Sequence, residues 1–160
     1  MALRLVHPVH RATHRIGLYL DGLRERGLTQ GEAHILALLA DSDRASVSHL
    51  HRGLAHKRST LTSILDRLSR RGLITRAIGD TDRRTFVVRL TAKGRKLAHR
   101  VQHHLSELEQ FVSRRVSAAD IRGFDKVIAA LEHEAHDRCS SKHNRSNSRR
   151  KKSALKLSQK

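Results

Sequence analysis

Aromatic side chains make up 2% of the 160 residues and tryptophan is absent, so a core has to be assembled from Leu, Ile, Val and Ala. The one cysteine, Cys139, has no partner for an internal disulfide, which points to a reducing cytoplasm. Long apolar runs are missing too. The longest, residues 35–40, has six residues, against the roughly 20 that a membrane-spanning helix requires. The basic N-terminus "MALRLVHPVHR" lacks the apolar stretch of a secretory signal. Acids are scarce as well: 15 Asp and Glu stand against 33 Lys and Arg, a net charge of +18. That imbalance calls for a polyanionic partner, and with no membrane segment the partner is nucleic acid. Catalytic signatures are also lacking. Gly17 and Gly22 in "GLYLDGLR" have phosphate-loop spacing but run on into Leu-Arg where Lys-Ser/Thr is required, and no serine sits in a nucleophile elbow. The chain does not read as an enzyme, and no cofactor is expected.

Helical signals dominate what is present. Pro8 suits the first turn of a helix, where its missing N–H is not needed. A first helix is predicted from about Pro8 to Arg26, with Ile16, Tyr19, Leu20 and Leu23 inward and Gly27 as its stop. "LTQGEAHILALLA" opens a second helix with a capping box, Thr29 and Glu32, and the apolar Ile35, Leu36, Leu38 and Leu39. After the polar "DSDRAS", a short helix is anchored by Val47, Leu50 and Leu54. In "HKRSTLTSILDRLSRRGLI", Leu61, Ile64, Leu65 and Leu68 fall at i, i+3, i+4 and i+7, and Gly72 marks the end. Two short helices, the second basic on its outer side, make a helix-turn-helix pattern. "LITRAI" and "TFVVRL" around "GDTDRR" add a β-hairpin, a wing.

Two longer stripes follow. Leu97, Val101, Leu105, Leu108 and Val112 recur along one helix, and Ile121, Phe124, Ile128, Leu131 and Ala135 along another. Near-heptad stripes outside a DNA-binding core argue for a helical dimer interface, with packing inside one chain as the competing reading. The fold class expected is mainly α with a small β wing: a winged helix-turn-helix domain plus a helical dimerisation region. Residues 1–27 supply an N-terminal dimerisation helix, 28–91 the DNA-binding domain and 92–139 the C-terminal dimerisation helices. Residues 140–160 carry eight of the basic residues (Lys142, Arg145, Arg149, Arg150, Lys151, Lys152, Lys156, Lys160), no acid and much Ser and Asn. They read as a disordered basic tail.

Three segments resemble the MarR family of winged-helix transcriptional regulators: "LTQGEAHILALLA", "KRSTLTSILDRLSRRGLITR" and "DTDRRTFVVRLTAKGR". The last matches the family's Asp-x-Arg followed by Leu-Thr-x-x-Gly-Arg. The resemblance implies a homodimer on a pseudo-palindromic site of double-stranded DNA, repression as the default and release by a small-molecule effector. It also implies that Arg84 enters the minor groove with Asp82 as its brace, while Arg83 meets phosphate. The potential of that groove attracts a guanidinium unaided, and the bland alternative is a surface ion pair. Off the apolar stripe, Ser59, Thr60, Thr62, Ser63, Asp66, Arg67 and Arg70 are expected to face DNA, with Lys57 and Arg58 on the backbone. Asp66 is ambiguous, since it could instead tether Arg70 at i+4. The sequence departs from the family pattern at Ala33, where relatives carry a bulky aromatic, at His56, usually apolar, and at Thr81, usually proline.

Thirteen histidines raise a metal-gated alternative, a zinc sensor. His99 with His103, and His133 with His136, have the spacing of two ligands on one helical face, and His10 with His14 repeats it. Nothing Cys-rich accompanies them, and Cys139 lies far from the family's peroxide-sensing position. The other alternative from a different class is a sequence-indifferent DNA-coating or RNA-binding protein, motivated by the charge alone.

Overall fold

The computed structural model describes residues 3–22, 27–55, 57–78 and 86–157, with side chains placed through Cys139. The chain divides into two compact units, Met1–Glu109 and Gln110–Lys160. The first unit holds α1 (Val6–Gly22), α2 (Gln30–Ala40), β1 (Arg44–Ser46), α3 (Val47–Leu54), α4 (Arg58–Arg70), β2 (Ile74–Ile78) and β3 (Phe86–Leu90). It also holds most of α5 (Ala92–Ser113). The fold is mainly helical with one small antiparallel sheet, as expected.

Helix starts follow local chemistry. Thr29 caps α2 and Glu32 returns the bond, completing the capping box. Ser46 caps α3 by accepting from the His49 N–H. α1 begins at Val6, two residues before the position anticipated from Pro8, which the first turn still tolerates because its N–H groups have no helical acceptor. Gly27 and Gly72 take positive φ (67° and 66°), the left-handed conformation that ends a helix at least cost on glycine. Leu23 to Arg26, the predicted end of the first helix, lie outside the described residues.

The strand order is β1-β3-β2, with β3 central. β1 was not anticipated: "RAS" sits in the segment read as loop. It exists because Arg44, Ala45 and Ser46 pair with Arg89, Val88 and Val87 of β3, a non-local ladder that three residues cannot announce. On the other side Ile74 to Ile78 pair with Leu90 to Phe86. The core gathers Ile35, Leu36 and Leu39 of α2, Leu50 of α3, and the α4 stripe Leu61, Ile64, Leu65 and Leu68. Leu73, Ile74, Val88 and Leu90 close it from the hairpin. Leu38 of α2 is exposed, so that helix is not apolar all round.

The "LTAKGR" segment is a local lock. Leu90 is buried, and the Thr91 hydroxyl donates to the Gly72 carbonyl (2.8 Å) while accepting from the Gly94 N–H (3.0 Å). Thr91 thereby caps α5. Gly94 lies against the Leu73 backbone with no room for a Cβ. Arg95 Nε meets Asp43 Oδ1 at 2.7 Å, and the Asp43 carbonyl accepts from the Leu90 N–H at 2.9 Å.

Two expectations about the flanking helices need correcting. Leu97, Ala98 and Val101 are buried in the first unit's own core, and Leu105 packs against it, so the front of that stripe does not wait for a second copy. α1 joins the same core through Leu20, with Ile16 and Tyr19 packed on it and the Tyr19 hydroxyl donating to the His104 carbonyl at 3.3 Å. The period of a stripe reports that a face is covered, not by whom. The second unit contains the end of α5 and α6 (Ala118–Leu157), which Ser117 caps together with Asp120. α6 is helical through Leu157, where composition predicted disorder. No Gly or Pro occurs after Gly123, so neither of the two strongest helix breakers interrupts it.

Candidate nucleic-acid interface

α3 and α4 are joined by Ala55–Lys57, with Ala55 in the left-handed region (φ 49°) at the end of α3. Burial of Leu61, Ile64, Leu65 and Leu68 turns the opposite face of α4 outward. Ser59, Thr60, Thr62, Ser63 and Arg70 are all exposed there, as predicted from the stripe, and so are Lys57 and Arg58 at the helix start. The Thr62 hydroxyl donates to the Arg58 carbonyl (2.9 Å) and the Ser63 hydroxyl to the Ser59 carbonyl (3.0 Å). With their protons so occupied, both oxygens present lone pairs outward, suited to accepting from an exocyclic amino group.

The start of α4 differs from those of α2, α3, α5 and α6. Those four have Thr29, Ser46, Thr91 and Ser117 satisfying a first-turn N–H, whereas Lys57 at the α4 N-cap makes no side-chain capping bond. A cation in place of a capping acceptor leaves first-turn N–H groups and the positive helix end available to an external anion. Beside it, a groove of about 400 Å³ is lined by Val47, Ser48, His51, Arg52, Arg58, Leu61 and Thr62. Ser48, His51 and Arg52 were missed in the sequence, where α3 was read only through its buried side. Its helical period placed them outward all the same.

Two acid–base contacts flank α4. Glu32 is 2% exposed, and its Oε1 lies 3.0 Å from Arg67 Nε while its Oε2 lies 3.6 Å from Arg71 Nη1. Arg67, expected on the DNA side, is therefore engaged with α2. It follows Asp66 toward the buried edge of the helix, where Ile64 and Leu68 point inward. Asp66 does not tether Arg70, which reaches only the Asp66 carbonyl at 3.4 Å. Its carboxylate meets Arg76 Nη2 of β2 at 2.7 Å.

Burial, the largest single influence on the Glu32 carboxyl, pushes its pKa up. The Thr29 N–H, the Arg67 guanidinium and the Thr29 hydroxyl together outweigh it, so the group titrates below the ordinary 4.5. A depressed folded value means that the stabilisation is fully present above the unfolded pKa and is lost as pH falls through the folded one. Glu32→Gln is thus expected to lie closest to wild type in acid. Urea unfolding at about pH 6 and about pH 3 checks this, and the stability gap should narrow at the lower pH.

Asp82, Arg83 and Arg84 lie outside the described residues; β2 and β3 lead into that segment, the last pair being Ile78 with Phe86. The histidine pairs gain no third ligand: among the described residues no group of three or more His, Cys, Asp or Glu could hold a metal ion. His103 faces Glu107 (3.7 Å) and His133 faces Asp137 (3.6 Å). Cys139 is exposed. No helix among the described residues is long and apolar enough to cross a membrane.

Two helices with a short turn, an outward basic second helix and an antiparallel hairpin at its end define a winged helix-turn-helix protein. Residues 28–86 match the model of the MarR family. Among curated proteins it is 28% identical over 94 residues to the HTH-type transcriptional regulator SarZ of Staphylococcus epidermidis (59% of this chain, 61% of SarZ). It is 29% identical over 85 residues to the HTH-type transcriptional regulator FarR of Neisseria gonorrhoeae (53% of this chain, 58% of FarR). The chain thus spans about three-fifths of these relatives' length. Among solved structures, S. aureus MepR in complex with DNA superposes with a TM-score of 0.68 at 19% identity, covering 83% of this chain and 99% of that one. PcaV of Streptomyces coelicolor in complex with its natural ligand gives 0.68 at 21%, covering 84% and 99%. At these identities the structural likeness concerns the fold.

Proposed function

We propose that this protein is a sequence-specific transcription regulator of the MarR type that binds a pseudo-palindromic operator as a homodimer. It represses by covering promoter DNA in the cytoplasm and is released by a small-molecule signal. The observation that carries the reading is the start of α4: an uncapped helix end flanked by Lys57 and Arg58 and followed by an outward row of hydroxyls. Such an end is built for a phosphate, and the hydroxyls beyond it reach base edges. The reading is supported by the fold's likeness to MepR in complex with DNA and to PcaV in complex with its natural ligand.

Dimerisation is supported by the second unit, none of whose described residues belongs to the buried core. Phe111, Val112, Val116, Ile121 and Phe124 are all exposed there, as are Leu3, Leu5 and Val6 at the N-terminal side of the first unit. Large apolar side chains left exposed in such number suit a contact surface.

Enrichment from a random duplex library, followed by competition against bulk DNA at about 0.15 M salt, tests the reading. A preference of at least about 10³ for the enriched sequence is expected. A ratio near one with a steep salt dependence would instead make this a DNA-coating protein. With the enriched duplex in hand, Lys57→Gln/Arg58→Gln removes four phosphate partners per dimer. The slope of log affinity against log salt should fall by about 3 to 4. An unchanged slope would remove both residues from the backbone contact.

A further inference from the structure

Arg76 of β2 makes specific contacts with α4. Its Nη2 lies 2.7 Å from Asp66 Oδ1 and donates to the Thr62 carbonyl at 3.4 Å. Thr62 and Asp66 are one turn apart on α4, so a single guanidinium spans a turn of the helix proposed to read DNA. At its other end Arg76 is fixed in β2, where it stands opposite Val88, a fully buried residue of β3. β2 and β3 are the two strands that enter the wing segment 79–85. The ion pair therefore bridges two elements that must touch DNA in different grooves.

The rest of the surroundings supports a mechanical role. Across α4, Arg67 and Arg71 reach the buried Glu32 of α2, so the helix is held on one flank by an acid and on the other by a base. The Asp66 and Arg76 side chains are 50% and 29% exposed. Pairs that open to water add little to folding stability. What this one supplies is geometry, a fixed distance between the outer face of α4 and the base of the hairpin.

We propose that Arg76 is a positioning residue. Through Asp66 and the Thr62 carbonyl it sets where the wing leaves the recognition helix, so that helix and wing engage one duplex together without a separate ordering step. The proposal rests on the DNA-binding reading above. Without the tie, the helix still binds, but the wing must find its groove at a lower effective concentration.

The test uses the full-length chain and two duplexes: the sequence that wild type enriches from a random library, and the same duplex trimmed of the outer base pairs whose minor grooves wild type protects. Arg76→Gln and Asp66→Asn are each expected to weaken binding to the long duplex by about tenfold and to the trimmed duplex by less than about twofold, with thermal midpoints close to wild type. The double variant should lose no more than either single one, as expected for two members of one contact. Equal losses on both duplexes would make the pair a general structural support and overturn the proposal. So would tighter binding by Asp66→Asn, which would mean that Asp66 restrains an Arg76 that itself contacts phosphate. Unchanged affinity in both variants overturns it as well, while leaving the DNA-binding reading intact. A wild-type chain that enriches no sequence removes that reading and the inference with it.

Discussion

Gly94→Ala is expected to lower stability by about 3 kcal/mol or more, a fall of roughly 10 °C or more in the thermal midpoint of the first unit. A Cβ at this position would overlap the carbonyl of Leu73, with the Leu73 carbonyl carbon at 2.8 Å. Backbone cannot swing aside as a side-chain tip can. Leu73 is itself held, because its carbonyl accepts from the Thr91 N–H at 3.1 Å and its N–H donates to Leu68 at 3.0 Å. Room for the methyl would require α5 to lift from the hairpin, opening the contacts of the buried Leu97, Ala98 and Val101. Gly53→Ala is the natural control: it sits in α3 with only Leu38 Cδ1 at 3.7 Å, an ordinary contact, so the better helix former should be neutral or slightly stabilising. Thermal unfolding followed by circular dichroism checks both. A Gly94→Ala protein melting within about 2 °C of wild type would refute the lock between α5 and the β2 entrance.

The second large effect concerns the wing. Arg84→Ala is expected to weaken binding to the enriched duplex by roughly a hundredfold, since each dimer loses two groove contacts of about 1 to 2 kcal/mol apiece. Folding should be unaffected, because the buried residues that support the hairpin, Leu73, Ile74, Val88 and Leu90, all lie outside segment 79–85. The loss should be largest on duplexes whose flanks are A·T-rich, where a narrow minor groove concentrates negative potential. A titration giving wild-type affinity would assign Arg84 to the solvent and leave Asp82 as an ordinary surface acid.

How far the sequence reached is best judged element by element. The α4 stripe and its polar opposite face were legible because helical period is a local property, and Leu61, Ile64, Leu65 and Leu68 are buried together. The Thr29–Glu32 box was legible for the same reason, both partners lying within one turn. What Glu32 does next was not. Its contacts with Arg67 and Arg71 join residues 35 or more positions apart, and no spacing rule reports them. β1 was invisible because its three residues carry no alternation of their own and owe their form to β3. The α5 stripe was seen but its partner was misjudged, since Leu97 and Val101 serve the chain's own core before any second copy is considered. Of the expected recognition face, Lys57, Arg58, Ser59, Thr60, Thr62 and Ser63 are on the surface, as the sequence placed them. Arg67 keeps 41% of its side chain exposed but pairs through Nε with Glu32, and Arg76 entered only through the geometry of β2.

The account stands on two chains presenting two α4 faces to one duplex at a spacing set by the protein. Sedimentation equilibrium of the protein mixed with its enriched duplex measures this directly. The complex should contain two 18.1 kDa chains per duplex, and moving the half-sites apart by five base pairs, about half a helical turn, should abolish it. A complex with one chain per duplex, or one indifferent to that insertion, would contradict the account.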